Sequence, residues 1–391
     1  MSKQPFKMNE VEVFLCDAVR HISRVDADDI GGQYRKLGDQ LVFEAATKND
    51  VAPIVAHVLL EKLGNLESLP DHWKEVYEAT ERRISCYLRE LDTVAGVLEQ
   101  KSIPLAALKN SGITRHLYKY PGASPMGDVD VVISADDFFA AHKIMISLGY
   151  KLKFRNEFEE DDIQAAFAGG GAEYSKTLDN GEHLWFELQW RPVAGKWIRP
   201  EQEPKASDLL ARAIREDDTP ALLLAPEDNL LQVCLHTAKH SFVRAPGFRL
   251  HVDVERIVEA QEIDWDAFTL TAQEMNVRTP VYFSLFMAKA LLGSNIPDFV
   301  LERLRPSLVK RMLIIGWLNR VGIFNPDERK WGKIGYIFFV MLLYDRPIDL
   351  FRNAFPPMEE LRVRYPDASY LTAPFYYSKR IYSLLTKRVS S

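Results

Sequence analysis

The chain has 391 residues, of which 47% are hydrophobic and 27% are charged, and its formal net charge is −6. This composition is typical of a soluble globular protein, and the length predicts about two or three domains, each with its own core. Because the net charge gives no general attraction for polyanions, we expect no stable nucleic-acid complex, although a local basic pocket for a nucleotide is compatible with it.

The cysteines and the N-terminal sequence predict a cytoplasmic protein. The start, MSKQPFKMNEVEV, contains no apolar run and therefore does not form a signal peptide. Cys16, Cys86 and Cys234 lie far apart without C-x-x-C spacing, so we predict buried free thiols rather than a disulfide or a zinc site.

The first part of the chain is predicted to be helical. Residues 9–63 have helical periodicity, and Pro53 suits a first helical turn. After a break at residues 64–71, a long amphipathic helix leads into the centre of the chain. Its apolar stripe consists of Ile84, Tyr87, Leu88, Leu91, Val94, Ala95 and Leu98.

The central part has the pattern of short strands. Residues 103–108 (IPLAAL) predict a buried strand that turns into a helix at Lys109, and residues 128–133 (DVDVVI) predict a second strand. Residues 150–154 predict a third strand. Residues 174–178 and 183–190 form a predicted hairpin, because Asn180-Gly181 supplies the positive φ of a tight turn.

Two segments of the central part admit alternatives. The acidic run 157–162 indicates a solvated face, with a contribution to a metal site as the alternative. Residues 168–171 (AGGG) lack the spacing of a P-loop, so we predict a flexible loop, with a substrate-contacting loop as the alternative.

From residue 204 onward the pattern is helical almost throughout. The longest apolar run, residues 334–344, is shorter than the ~20 residues that a membrane span needs, so we predict a buried helix. Membrane-surface contact is the alternative, because Lys379, Arg380, Lys387 and Arg388 follow it. The order of elements predicts an α+β protein with three regions: residues 1–80, 81–203 and 204–391.

Three acids in the central part predict a divalent-metal site. Asp128 and Asp130 are two residues apart on a strand, so both point to the same face while Val129 faces the core. Glu187 interrupts an apolar strand, and an ionised carboxylate there needs a partner. Three carboxylates from neighbouring strands suit the Mg²⁺ ions of phosphoryl or nucleotidyl transfer.

Longer segments carry a resemblance to a known family. They are IPLAALKNSG, YPGASPMGDVDVVIS, LWFELQW, LLLAPEDNLLQVCLHTAKH and HVDVERIVEAQEIDWDAF. Together they resemble the bacterial family of uncharacterised nucleotidyltransferases with the DNA polymerase beta-like fold. The resemblance implies a small mixed-sheet nucleotidyltransferase core, residues 81–203, flanked by an N-terminal helical region and a C-terminal helical domain.

The resemblance also implies roles for individual residues. Asp128 and Asp130 match the metal pair, and Glu187 matches the third acid, which completes the acceptor-side metal and helps to deprotonate the acceptor hydroxyl. Lys109 matches a lysine that contacts the triphosphate. The implied cofactor is Mg²⁺ or Mn²⁺, and the implied substrate is an NTP such as ATP.

The chain departs from the family pattern at two positions. Asn110 stands where the pattern has a glycine, and Ser124 stands where it has an arginine. Asn110 and Ser111 are assigned to nucleotide binding together with Lys109. Ser111 and Gly112, one position along from the missing glycine, can form the turn in its place. These departures leave open a catalytically degenerate nucleotide-binding or scaffold protein.

A second group of candidate ligands lies downstream. His236 and His240 are four residues apart on a predicted helix, and His251 and Asp253 follow. The group admits a zinc or iron site, a packing role, or a place in the wall of the nucleotide cleft. The resemblance favours the cleft, so His236 and His240 are predicted to bind nucleotide.

The sequence as a whole predicts a Mg²⁺-dependent nucleotidyltransferase. We expect it to move a nucleoside monophosphate from an NTP to an acceptor that is a small molecule, a saccharide, a peptide or a protein. The alternative is the degenerate binding protein of the same fold.

Overall fold

The computed structural model describes residues 5–63, 69–117, 120–155, 161–178, 180–193, 198–326, 330–365 and 367–386. Residues 157–160, Lys387 and Arg388, on which two of the predictions depend, lie outside the described residues.

The N-terminal part consists of helices, as predicted. They are α1 (Glu10–Val19), α2 (Ala27–Leu37), α3 (Asp39–Lys48), α4 (Ala52–Leu63) and α5 (Asp71–Glu99). In α5 the predicted stripe faces inward, and Ile84, Leu91 and Leu98 are fully buried. The helix is continuous across residue 80, where the sequence suggested a boundary between regions.

The central part alternates short strands with helices. It contains β1 (Ala106–Ala107), α6 (Lys109–His116), β2 (Val129–Val132), α7 (Phe138–Ser147), β3 (Lys151–Leu152), α8 (Ile163–Gly169), β4 (Gly171–Thr177), β5 (His183–Gln189), α9 (Ala206–Arg212) and β6 (Leu222–Leu223). The six strands form one sheet in the order β3-β4-β5-β2-β1-β6. Parallel pairs (β2 with β5, β1 with β6) and antiparallel pairs occur together, so the α+β class with a mixed sheet is confirmed.

The predicted hairpin is β4 and β5, which pair from Gly171 opposite Gln189 to Thr177 opposite His183. Gly181 has φ +85°, which an L residue rarely adopts. Leu184, Phe186 and Leu188 are all fully buried in one core, so the predicted alternation of faces in β5 is confirmed. Glu187 therefore lies on the opposite face of the sheet.

The predicted loop at residues 168–171 is wrong. α8 ends at Gly169, Gly170 caps it with φ +104°, and Gly171 begins β4. A Cβ at Gly171 would lie 2.9 Å from the Leu188 carbonyl oxygen. The glycines thus end a helix and let two strands approach closely. The two described acids of the preceding run are also structural, since Asp161 accepts from the Phe154 N–H and Asp162 caps α8.

The C-terminal part is helical, as predicted. It contains α10 (Pro226–Lys239), α11 (Arg249–Ala260), α12 (Trp265–Glu274), α13 (Arg278–Leu292), α14 (Asp298–Leu304), α15 (Leu308–Val321), α16 (Lys333–Leu343), α17 (Pro347–Ala354), α18 (Met358–Arg364) and α19 (Ala373–Thr386). None of the helices within the described ranges is both long and apolar enough to span a membrane.

The prediction of a buried helix at residues 334–344 holds for one side of α16 only. Phe339 and Leu343 are buried, whereas Phe338 and Met341 are 47% and 43% exposed. The cysteines are free, as predicted, and Cys16 and Cys234 are buried, but Cys86 is half-buried.

The N-terminal and C-terminal helices share one hydrophobic core. Phe14 of α1 and Leu59 of α4 belong to the same buried cluster as Leu235 of α10 and Phe283 of α13. The core under the sheet is separate and is built from α5, α7 and one face of the strands. The division into residues 1–80, 81–203 and 204–391 stays a prediction.

Candidate active site

The register of two strands brings the three predicted metal ligands together. β2 and β5 are parallel neighbours, and Asp130 lies directly opposite Glu187. Asp128 immediately precedes β2 and is two residues from Asp130, so its side chain emerges on the same face. Ligand oxygens of the three carboxylates all lie within 4.8 Å of one another. We call these three residues the acidic triad.

The acidic triad is held by hydrogen bonds from its own surroundings. Asp130 is 3% exposed, and its backbone N–H donates to Ser111 Oγ at 2.7 Å. Gln189 Nε2 donates to Asp130 Oδ1 at 2.8 Å and to Glu187 Oε2 at 2.9 Å. Gln189 lies two residues after Glu187 on the same face of β5. It therefore fixes the two facing carboxylates relative to each other.

Lys109 compensates the charge of the buried acids. Its Nζ lies 2.6 Å from Asp130 Oδ1 and 3.5 Å from Glu187 Oε2. Burial alone would lower the pKa of Lys109, but Asp130 and Glu187 outweigh it and raise that pKa above its ordinary value. The ammonium group therefore stays charged.

The pKa values of the two facing acids move in opposite directions. Burial raises the pKa of Asp130 well above its ordinary value, against the attraction of Lys109. Burial of Glu187 acts in the same sense, but Lys109, a hydrogen bond with Asp130 and Arg155 hold the pKa of Glu187 below its ordinary value. The two facing carboxylates therefore differ in environment: burial dominates at Asp130, whereas the cations and the hydrogen bond dominate at Glu187.

Arg155 is a member of the site that the sequence did not reveal. It follows β3, and its Nη2 donates to Asp128 Oδ2 at 2.6 Å and also to Glu187 Oε1. Its Nε lies 3.3 Å from Glu173 Oε2, and its guanidinium lies over the Trp185 ring, 5.4 Å from the ring centre. One nitrogen thus bridges two acids of the triad. In the local sequence KLKFRN, however, nothing distinguishes Arg155 from an ordinary surface arginine.

Lys239 is a second residue that the sequence analysis missed. It ends α10, is half-buried, and interacts electrostatically with Glu187 and Asp130 of the acidic triad. Burial, together with the nearby Lys109, lowers the pKa of Lys239 to about 8. Among the described residues it has no ion pair with a carboxylate. Lys239 follows His236 by three residues on a helix that the sequence assigned to the cleft, and this spacing predicts that both side chains lie on the same helical face.

His236 and His240 lie near these cations. Their ring centres are 4.7 Å apart. Burial, reinforced by Lys239, lowers the pKa of His240 to about 3, and burial lowers that of His236 well below its ordinary value. Both rings are therefore neutral near pH 7. Their assignment to nucleotide binding stays a prediction.

The alternative zinc or iron site is wrong. Within the described ranges, the acidic triad is the single group of three or more His, Cys, Asp or Glu side chains close enough to share an ion. His251 Nε2 instead donates to the Phe242 carbonyl at 2.8 Å, and Asp253 lies beside Asn110 and Arg249. These side chains serve hydrogen bonding inside the fold.

The two positions that depart from the family pattern make internal contacts. In the amide orientation that satisfies both ends, Asn110 donates to both Asp253 oxygens at 3.1 Å and accepts from Arg249. The Ser124 hydroxyl contacts the Thr114 hydroxyl. Asn110 thereby ties α6 to α11, and Ser124 fixes the loop before Asp128. The assignment of Asn110 and Ser111 to nucleotide binding remains a prediction.

Comparison with known proteins gives one family. A family model described as an uncharacterised nucleotidyltransferase matches residues 36–293, roughly two thirds of the chain. The matched segment contains the acidic triad, Lys109, Arg155 and Lys239. No curated protein matches the sequence.

Proposed function

We propose that the chain, which belongs to the family of uncharacterised nucleotidyltransferases, moves a nucleoside monophosphate from an NTP to a hydroxyl or phosphate group of an acceptor. The observation that carries the proposal is the approach of the three carboxylates of the acidic triad to within 4.8 Å. We include a requirement for Mg²⁺ or Mn²⁺, because both ions prefer hard oxygen ligands.

The donor set fits such an ion. Asp128, Asp130 and Glu187 offer carboxylate oxygens from two adjacent strands, and these residues would hold it. When bound, divalent ions neutralise charge on the transferred phosphoryl group and make the attacking hydroxyl more acidic.

Lys109 and Lys239 bind the triphosphate as point charges. The support is that Lys109 contacts the acidic triad and stays protonated despite its burial, and that Lys239 interacts electrostatically with Glu187 and Asp130. With its pKa at about 8, Lys239 is mostly protonated near pH 7. Its charge is not taken up by a carboxylate among the described residues, and an anionic substrate would compensate it.

Arg155 supplies the guanidinium that the family pattern places at position 124. In the structure it bridges Asp128 and Glu187. Its side chain is 38% exposed, so it could turn away if these acids held a divalent ion. A planar guanidinium then donates two hydrogen bonds to a phosphate group.

Glu187 accepts the proton of the acceptor hydroxyl. Arg155 is one of the cations that hold the pKa of Glu187 down. A divalent ion held by Glu187 would also keep this pKa low, so movement of Arg155 to the triphosphate would free the Glu187 oxygen that it contacts rather than raise the pKa. Departure of Arg155 would thus couple substrate binding to the availability of Glu187.

The helices around the sheet form the walls of the cleft. His236 and His240, neutral near pH 7, provide hydrogen-bonding groups for the base or the ribose. The N-terminal and C-terminal helices recognise the acceptor, whose class is a small molecule, a saccharide, a peptide or a protein.

A catalytically degenerate nucleotide-binding protein is the second candidate. Two observations favour it: the Asn110 and Ser124 side chains are engaged inside the protein, and Lys109 and Arg155 already compensate the acidic triad. Such a protein would bind NTP without releasing pyrophosphate.

One set of measurements separates the candidates. The protein is incubated with each α-labelled NTP and Mg²⁺ or Mn²⁺, and pyrophosphate release and label transfer to protein or added acceptors are followed. Transfer that is lost in Asp130→Asn and kept in Asp136→Asn, an exposed acid outside the triad, supports the enzyme. Calorimetric NTP binding without turnover supports the second candidate, and absence of NTP binding contradicts both.

A further inference from the structure

Exposed hydrophobic side chains are concentrated near the end of the chain. Among the described residues, nineteen large hydrophobic side chains are exposed, and thirteen of them lie between Leu308 and Tyr382. Single exposed hydrophobic residues are normal on any protein, whereas a concentration of them marks an interaction surface. The whole of this stretch lies after the segment that the family model matches.

Four of these exposed side chains lie on one side of α15. Leu308, Val309 and Met312 are 63%, 67% and 64% exposed, and Leu313 is 44% exposed. Their spacing of one, four and five residues places them on one helical face. Ile314 and Leu318 are buried in the shared core, so α15 is apolar on its inner and its outer side.

The neighbouring helix α17 also carries exposed apolar side chains. Lys310 Nζ donates to the Tyr344 carbonyl at 2.7 Å, which places the first turn of α15 beside the junction between α16 and α17. On α17, Ile348 and Phe351 are 47% and 59% exposed. We call the outer residues of α15 and α17 the apolar face.

Positive charge accompanies the apolar face. Residues 294–391 contain 16 Lys and Arg and 9 Asp and Glu, a net charge of +7, whereas residues 1–293 have a net charge of −13. Arg305 and Arg320 are exposed at the two ends of α15, and Arg352 is exposed beside Phe351. Exposed apolar side chains among cations are typical of surfaces that bind anionic lipid.

We propose that the apolar face docks the protein onto an anionic lipid bilayer. The side chains of α15 and α17 enter the interface between headgroups and acyl chains, and the surrounding arginines contact lipid phosphates. A second copy of the chain fits less well, because a symmetric contact through this face would bring two positively charged regions together. The acidic remainder of the chain is repelled by the same bilayer, which orients the molecule.

The test uses the full chain and vesicles of phosphatidylcholine with or without ~30% phosphatidylglycerol, a content within the range where anionic headgroups attract basic segments. We expect cosedimentation with the anionic vesicles at low salt, a decrease at high salt, and little binding to pure phosphatidylcholine. The variant Val309→Glu/Met312→Glu should lower the vesicle-bound fraction by about tenfold or more, since two acids replace inserted apolar groups.

Leu270→Glu is the matched control, because Leu270 is 55% exposed on α12 and lies outside the apolar face. It should bind vesicles like the unchanged chain, and thermal unfolding should show that all variants are folded. Failure of the folded chain to bind anionic vesicles overturns the proposal, as does an equal loss in the control. If the chain does not bind vesicles but self-associates, and Val309→Glu/Met312→Glu abolishes the self-association, then the apolar face binds a second copy of the chain and the proposal is overturned.

Discussion

Replacement of Arg155 by alanine should strengthen divalent-cation binding and weaken nucleotide binding. The Arg155 guanidinium donates to Asp128 and Glu187, so a cation that enters the acidic triad must displace it. Arg155→Ala removes this competitor. It also removes the group that we assign to the triphosphate, and the two effects have opposite signs.

The magnitudes follow from exposure. Because the Arg155 side chain is 38% exposed, each of its two ion pairs within the triad is of the surface type, at about 0.2–1 kcal/mol. Their loss should tighten metal binding by about 0.5–2 kcal/mol, or roughly 2- to 30-fold. Loss of a charge-assisted hydrogen bond to phosphate costs about 1.5–3 kcal/mol, so NTP affinity should fall roughly 10- to 150-fold.

Two titrations measure these effects. Free Mn²⁺ is followed by its paramagnetic resonance signal in the absence of nucleotide, and a non-hydrolysable NTP is then titrated calorimetrically at saturating Mn²⁺. The part of the tryptophan fluorescence that is lost in Trp185→Phe reports movement of the guanidinium, which lies 5.4 Å from the Trp185 ring centre. Arg155→Lys keeps the charge but not the planar group, so its NTP affinity should be intermediate.

Arg215→Ala is the control, because it makes the same change in net charge at an arginine that pairs with exposed Glu99. Mn²⁺ affinity that is unchanged or lower in Arg155→Ala would refute the competition. NTP affinity that matches that of Arg215→Ala would refute the contact with phosphate.

Two further predictions concern stability. Burial lowers the pKa of His251 to about 4 from 6.5; the unfolded chain therefore binds the extra proton first, and stability is lost as pH falls through this window. The free energy of unfolding, measured with urea, should therefore fall between pH 7 and pH 5 by about 2 kcal/mol less in His251→Gln than in the unchanged chain. An equal fall in both proteins would contradict this reasoning. Gly170→Ala places a Cβ 2.8 Å from Arg191 Cβ at φ +104° and should cost about 1–3 kcal/mol. Gly169→Ala, whose Cβ meets nothing within 4 Å, should instead stabilise α8 by up to about 1 kcal/mol. Equal urea midpoints for the two variants would contradict the strain assigned to Gly170.

The side-chain alternation of strands made the acidic triad predictable. Asp128 and Asp130 flank Val129, and Glu187 stands among Leu184, Phe186 and Leu188, so each acid was assigned to a face before any pairing was known. The direct juxtaposition of Asp130 and Glu187 depends on a parallel pairing between strands that are 57 residues apart at this point. Local sequence does not determine such a register.

Other parts of the site depend on tertiary contacts between ordinary residues. Arg155 contacts the acids because the chain returns toward them three residues after β3, which lies at the edge of the sheet. Asn110 pairs with α11, more than a hundred residues later. The apolar run at residues 334–344 predicted burial correctly for Phe339, but hydrophobicity alone does not say which side of a helix finds a partner.

The shared core of the two terminal helical parts affects the order in which the protein can fold during synthesis. Asn319 on α15 accepts from the Lys7 N–H and donates to the Pro5 carbonyl, and α1 packs in one cluster with α13. At about 5–20 residues per second, the ribosome needs roughly 15–60 s to produce the ~300 residues between these partners. During that interval the sides of the first helices that pack on α13 and α15 have no final partner, although these helices already pack on one another. We therefore expect the sheet with its own core to fold first on the nascent chain, and the helical body to close around it only when the C-terminal helices have emerged.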